Sequence, residues 1–312
     1  MKKLLLLITL TLSGILLLGC EEDLESLNVI VPNGAPSIAQ IHTQYEGMDN
    51  DAFDVEVDLV FGADPLRSAF INESHDVIIA PINLGAILIQ NADVPYQLAA
   101  PITWGNLHLV SQSEIQGLND LDGETLIVFG QNAIPAITLE IVLNAYDFNT
   151  APTIEYVDSV DVARAEVQAD DSKIALMAEP AKSVLAMQVD TLYSIDLQDK
   201  WEVHFDKQGY PQAGVFVHTD KDQATISHYL THLEDSTNLV NNDAEATARK
   251  AEELEFPFPK PVIKSAIPNS HIRYHAASDV KPEIEAYFQE IMKLNPALIG
   301  GSLPNESFYF ED

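Results

Sequence analysis

A two-lobed α/β architecture is what this 312-residue sequence predicts, and three observations predict it. Short apolar runs alternate with amphipathic helical stretches, the signature of parallel strands covered by helices. That alternation is written twice, from about residue 27 and again from about residue 106. Two extended segments, 97–106 and 205–218, follow the first and second sets respectively, as if the chain leaves one lobe and later returns to it.

The elements follow in order. Lys2 and Lys3 precede an apolar run from Leu4 to Leu18, too short for the ~20 residues that span a bilayer, so residues 1–19 read as a signal peptide. Gly19 before Cys20, the sole cysteine, resembles a lipoprotein processing site, with Cys20 as the lipidated residue. Residues 20–26, rich in Glu and Asp, read as a solvated tether. Leu27–Val31 is a buried strand stopped by Pro32-Asn33-Gly34-Ala35-Pro36, with Ser37 expected to cap a helix from Ile38 to about Tyr45. Val55–Phe61 alternates as a strand, and Asp64-Pro65 is expected to open a helix with Asp64 as its cap. Asp76–Ala80 is the third strand, ended by Pro81-Ile82-Asn83 before a helix.

The second set begins with the strand Asn106–Ser111. Thr125–Phe129 leads through Gly130-Gln131-Asn132-Ala133 into the helix Ala136–Tyr146. Thr153–Val157 and Ile174–Met177 are further strands, the latter ending in Ala178-Glu179-Pro180. The remaining chain reads as helices at 223–241, 244–253 and 282–294, which complete the first lobe. Lobe I is therefore expected to comprise 27–104 plus 214–312, and lobe II 105–213.

Composition narrows the function. Sixteen Lys and Arg stand against 48 Asp and Glu, a net charge of −32, and loss of Lys2 and Lys3 with a signal peptide would deepen it. Such a surface excludes nucleic acid as a partner, because binding phosphates needs basic patches. With Cys20 modified, no thiol remains for a disulfide or a thiolate metal site. His228/His232 and His271/His275 are spaced i, i+4, but no third ligand is evident, and no metal or other cofactor is expected. No GxSxG, HExxH, GxGxxG or phosphate-loop motif occurs, so no enzyme chemistry is indicated.

The ordered blocks LNVIVPNGAPSIA, HDVIIAPINLGAIL, LDGETLIVFGQNAIPAITLEIVL, KIALMAEPAKSVLA and GYPQAGVFVHTDK resemble the solute-binding lipoproteins of ABC importers. The resemblance is to the nitrate, sulfonate, taurine and thiamine-precursor group, and runs from about Leu27 to the C-terminus. It implies a type II periplasmic-binding-protein fold, with two lobes, a central cleft and two crossing strands. It further implies a monomer, lipid-anchored outside the cell membrane, that passes a small organic solute to a permease. A sensor or an enzyme on the same scaffold is the alternative.

The resemblance places ligand contacts on Asn33, Gly34, Ala35, Asp64, Pro81 and Asn83 in lobe I, on Gln131, Asn132 and Glu179 in lobe II, and on Thr103, Trp104 and Tyr210 in the crossing segments. Physics points to the same loops, because ligands of open α/β sheets bind beyond the strand carboxyl ends. Asp64 and Glu179 also read as helix-cap acids, and Trp104 and Tyr210 as interlobe core. Cations are sparse near these positions and two acids are present, so the expected solute is amine-bearing or heterocyclic, with aromatics to stack on a flat ring.

Overall fold

A computed structural model describes residues 26–43 and 55–311. The signal-like segment, Cys20, the tether up to residue 25, and the expected helix end near Tyr45 lie outside the described residues.

Sheet I contains β1 (Leu27–Pro32), β2 (Val55–Val60), β3 (Val77–Pro81), β4 (Tyr96–Thr103) and β10 (Ala213–His218), in the order β2-β1-β3-β10-β4. Sheet II contains β5 (Leu107–Ser111), β6 (Thr125–Phe129), β7 (Thr153–Val157), β8 (Ile174–Ala178) and β9 (Tyr193–Asp196), in the order β7-β6-β8-β5-β9. Each sheet is mixed rather than wholly parallel. β10 runs antiparallel between β3 and β4, and β5 antiparallel between β8 and β9. These are the strands with which the chain enters a lobe from the other, so they must run against those that end at the crossing.

That topology fixes what faces what. Ala213, at the start of β10, pairs with Pro81 and Thr103, so β3 and β4 end where the crossings leave lobe I. Leu107, at the start of β5, pairs with Ala178, so β8 and its parallel neighbours β6 and β7 end where the chain enters lobe II. The carboxyl ends of both sheets therefore confront each other across the crossings.

Alternation along the strands accounts for the packing. Val29, Val31, Val77, Ile79, Val215 and Val217 turn to one face of sheet I, against α8 (Gln223–Asn242), α9 (Ala244–Glu253) and α10 (Lys260–Ala266). Ile30, Ile78, Ala80 and Phe216 turn to the other face, against α2 (Asp64–Asn72) and α3 (Ile82–Ala92). That second cluster continues into lobe II through Leu107, Leu109, Leu126 and α4 (Ile134–Asn144), with α11 (Lys281–Leu294) shared between the lobes. The opposite face of sheet II buries Val110, Ile127, Ala175 and Met177 under α5 (Val160–Ala169) and α6 (Ala181–Ala186). Strands buried on both faces are what near-continuous apolar runs demand.

Three local expectations need correction. The first helix, α1, spans Ala35–Ala39 and starts before Ser37, because Pro36 tolerates the first turn, where its missing N–H is not needed. The Ser37 hydroxyl instead closes on Gly34, accepting from its N–H at 3.1 Å and donating to its carbonyl at 2.8 Å. α2 begins at Asp64 itself, whose side chain makes no capping bond. β9 and α7 (Leu197–Phe205) fill a stretch that the apolar periodicity left unassigned. There Asp196 ends the strand and caps the helix, its Oδ1 accepting from Gln198 N at 2.8 Å.

Candidate functional site

The loops at the strand ends bring the two lobes together. A Cβ built on Gly34 would lie 3.9 Å from the carbonyl oxygen of Glu179, so the β1–α1 loop of lobe I meets the β8–α6 loop of lobe II. Asn106, in the crossing, ties in from below. Its carbonyl accepts from Glu179 N at 3.1 Å, and its own N–H donates to Gln212 Oε1 at 3.1 Å.

The sequence-nominated residues divide into three kinds. Thr103, Trp104, Glu179 and Tyr210 are buried. Thr103 Oγ1 accepts from Ala213 N at 3.2 Å, and Trp104 Nε1 donates to the Arg273 carbonyl at 3.1 Å. Tyr210 stacks among Trp201 and Tyr287, at 5.4 and 5.6 Å between ring centres, and burial raises its hydroxyl far above the usual phenol range. On the lobe I side Gly34, Ala35 and Asn83 are also buried, and Asn33 and Pro81 half-buried. The Asn83 amide donates to the Leu298 carbonyl at 3.3 Å, within lobe I itself. Asn33 Oδ1 is buried with no hydrogen-bond partner, an acceptor held in reserve beside α1. Asp64, Gln131 and Asn132 are exposed on the loop rims, with Phe61, 70% exposed, next to Asp64's loop at the end of β2.

Glu179 is only 2% exposed. Its Oε2 accepts from Ser183 N at 3.1 Å, capping α6, and Lys182 Nζ lies 3.5 Å from Oε1. Burial raises the Glu179 pKa, and Lys182 and Ser183 only partly offset that rise. One carboxylate oxygen is thus committed to the first turn of α6, while Oε1 is buried beside Lys182 with no hydrogen-bond partner. Asp64 carries the exposed acidity of the rim.

Sequence reasoning missed a second polar centre on the hinge side. His108, on β5, is 1% exposed, with Nδ1 3.9 Å from Asp196 Oδ2 and Nε2 3.3 Å from the Asn269 carbonyl of lobe I. Burial first, then the nearby Lys182 charge, lowers its pKa to about 4. Asp196 Oδ2 also lies 3.1 Å from His271 Nε2. Burial opposes ionisation of Asp196, but the His271 hydrogen bond and the neighbouring histidines outweigh it and hold the carboxyl below its usual range. The signal for this centre was an Asp followed by a helical pattern after an apolar run. Of the histidine pairs, His228 and His232 do share α8, with ring centres 4.6 Å apart, whereas His271 and His275 lie outside any helix. Among the described residues, no group of three or more His, Cys, Asp or Glu side chains is arranged to hold a metal.

Two hollows, of about 430 and 490 Å³, lie at the opposite end of lobe I. They share Gln97, Thr219 and Ser307, beside the amino end of β4 and the C-terminal tail, and neither contains a nominated residue.

Solved structures share this arrangement. An ABC transporter structure from Parabacteroides distasonis superposes with a TM-score of 0.81 at 21% identity, covering 92% of this chain and 99% of that one. The fold is that of the ABC-importer binding proteins. The periplasmic aliphatic sulphonate binding protein SsuA from Escherichia coli matches with a TM-score of 0.64 at 14% identity, over 92% of this chain and 96% of that one. The periplasmic nitrate-binding protein NrtA from Synechocystis matches at 0.63 and 11% identity, over 86% of this chain and 81% of that one. No protein-family model and no curated protein sequence matches the chain. The shared fold is here two five-stranded sheets whose strand carboxyl ends confront each other across the crossings. Among the described residues no helix is long and apolar enough to cross a membrane.

Proposed function

We propose that this chain is the solute-binding component of an ABC importer, a non-catalytic monomer that captures a small organic solute between its lobes and presents it to a permease. The observation that carries the reading is the confrontation of strand carboxyl ends across two crossing segments, on a fold that matches the Parabacteroides ABC transporter structure over nearly its whole length. Loops that end strands and open helices offer unpaired N–H groups to a solute, and two lobes give it contacts on both sides. Anchoring by lipid at Cys20 completes the proposal, keeping the protein beside its permease.

The solute class follows from the rim. Asn33, Gln131 and Asn132 offer amides, Phe61 an exposed ring, and Asp64 the available acid. Lys182 is already paired with Glu179 at 3.5 Å, and Arg273 is engaged over the Trp104 ring at 5.3 Å and with the Gln208 carbonyl. An amine-bearing or heterocyclic solute suits these groups better than nitrate or a sulfonate. A thermal-shift screen of amines, heterocyclic vitamin precursors, sulfonates and nitrate tests this. A solute binding only the folded state adds about 2.7 kcal/mol at a hundredfold excess over Kd. The expected hit is cationic or heterocyclic and is weakened by Asp64→Ala. A sulfonate or nitrate hit indifferent to Asp64→Ala would overturn the solute class. Labelled palmitate should appear on the wild-type chain and not on Cys20→Ser.

A further inference from the structure

The hinge side contains a device that the binding role does not require. The two Asp196 carboxylate oxygens serve different lobes: Oδ1 caps α7 of lobe II, while Oδ2 holds His271 at 3.1 Å. His271 belongs to lobe I, on a segment that runs along β4: its carbonyl accepts from Trp104 N at 3.0 Å, Ile272 bridges Thr103, and Arg273 N donates to Ile102 O at 3.0 Å. Two residues after Asp196, the Gln198 side chain enters the hinge itself. Gly105 and Gly209 stand one in each crossing segment, at φ of +108° and +78°. A Cβ built on either would lie 2.8 or 2.9 Å from Gln198 Oε1. The first turn of α7 is therefore wedged between both crossings while its cap is tied to the far lobe.

We infer that the first turn of α7 is a hinge latch, with the Asp196–His271 bond setting the resting angle between the lobes. Rotation about Gly105 and Gly209 drags the crossings past Gln198, and the bond must travel with lobe II or break. A hydrogen bond to a charged group is worth enough to shift such an equilibrium about tenfold. The inference rests on the two-lobe fold and not on which solute is carried.

Hydrogen exchange and small-angle scattering on the full, solute-free chain test it. The reporting amides are Trp104, which donates to His271 O, and Gln212, which donates to Thr103 O at 2.9 Å. Asp196→Asn keeps an acceptor for the α7 cap but removes the charge. His271→Phe breaks the same bond from lobe I without touching the cap, so it covers the case in which the first variant fails to fold. Each is expected to speed exchange at Trp104 and Gln212 about tenfold and to enlarge the radius of gyration, with the double variant no more open than either single one. Unchanged exchange and dimensions in folded His271→Phe, or fully additive effects in the double variant, would overturn the latch. Loss of solute capture with the latch readouts intact would instead count against the importer role alone.

Discussion

The crossing junction and the loop rim are two parts of one molecule built on opposite terms. At the junction, Trp104, His108, Glu179 and Tyr210 are all buried; Trp104 Nε1, His108 Nε2 and Glu179 Oε2 are spent on the protein itself, while His108 Nδ1, Glu179 Oε1 and Tyr210 Oη have no hydrogen-bond partner. At the rim, Phe61, Asp64, Gln131 and Asn132 are exposed, and Asp64 gives nothing to capping its own helix. The contrast is one of exposure: the same strand-end loops carry both buried and solvent-facing side chains. A buried group that is paired there, such as Trp104 Nε1, holds the crossing together, while an exposed, uncommitted one such as Asp64 is open to solvent.

The largest expected difference between the two regions is steric. Gly209→Ala places a Cβ 2.8 Å from the Trp104 carbonyl at a positive φ, and should cost about 4 kcal/mol from combined strain and overpacking. Gly62, at the rim, has the same φ of +78° with nothing within 4 Å, so Gly62→Ala should cost only about 1 kcal/mol in denaturant unfolding. Equal losses would erase the distinction.

Acid should act on the junction next. His108 titrates at about 4 when folded but near 6.5 when unfolded, so the unfolded chain takes up the proton first. Stability should therefore fall as pH drops from about 6.5 to 4, by about 3 kcal/mol, and His108→Gln should flatten that slope. A slope unchanged in the variant would remove His108 from the account. A smaller effect attaches to the lobe contact between Thr138 Oγ1 and Tyr287 Oη at 2.6 Å, and Tyr287→Phe should lower stability by about 1 kcal/mol. Smallest of all, Gln131→Ala and Asp64→Ala should change stability by no more than about 0.5 kcal/mol while reducing solute affinity. Stability losses of several kcal/mol at those two positions would turn the rim into structure.

Local signals made much of the fold legible. Val55–Val60 declares itself as a strand by alternation, Val77–Pro81 and Thr125–Phe129 by apolar runs bounded by Gly or Pro, and α8 by helical periodicity. What escaped was set by distant contacts. Tyr193–Asp196 is short and half polar, and becomes a strand because β5 offers it an edge. That β10 inserts antiparallel between β3 and β4 is a property of the returning chain, not of its residues. The site was legible as a set of loops, because strand ends can be read from sequence. Which loop residues are free was not, since the commitment of Glu179 to Ser183 and Lys182, and of Asn83 to Leu298, depends on packing.

Where a solute sits is the most direct test of capture between the lobes. A crystal structure of the chain with the solute that most raises its melting temperature should place that solute between the Asn33–Gly34 loop of lobe I and the Gln131–Asn132 loop of lobe II, with contacts from both lobes. A solute found instead in the hollows beside Gln97 and Ser307, or on one lobe alone with the cleft empty, would contradict capture between the lobes.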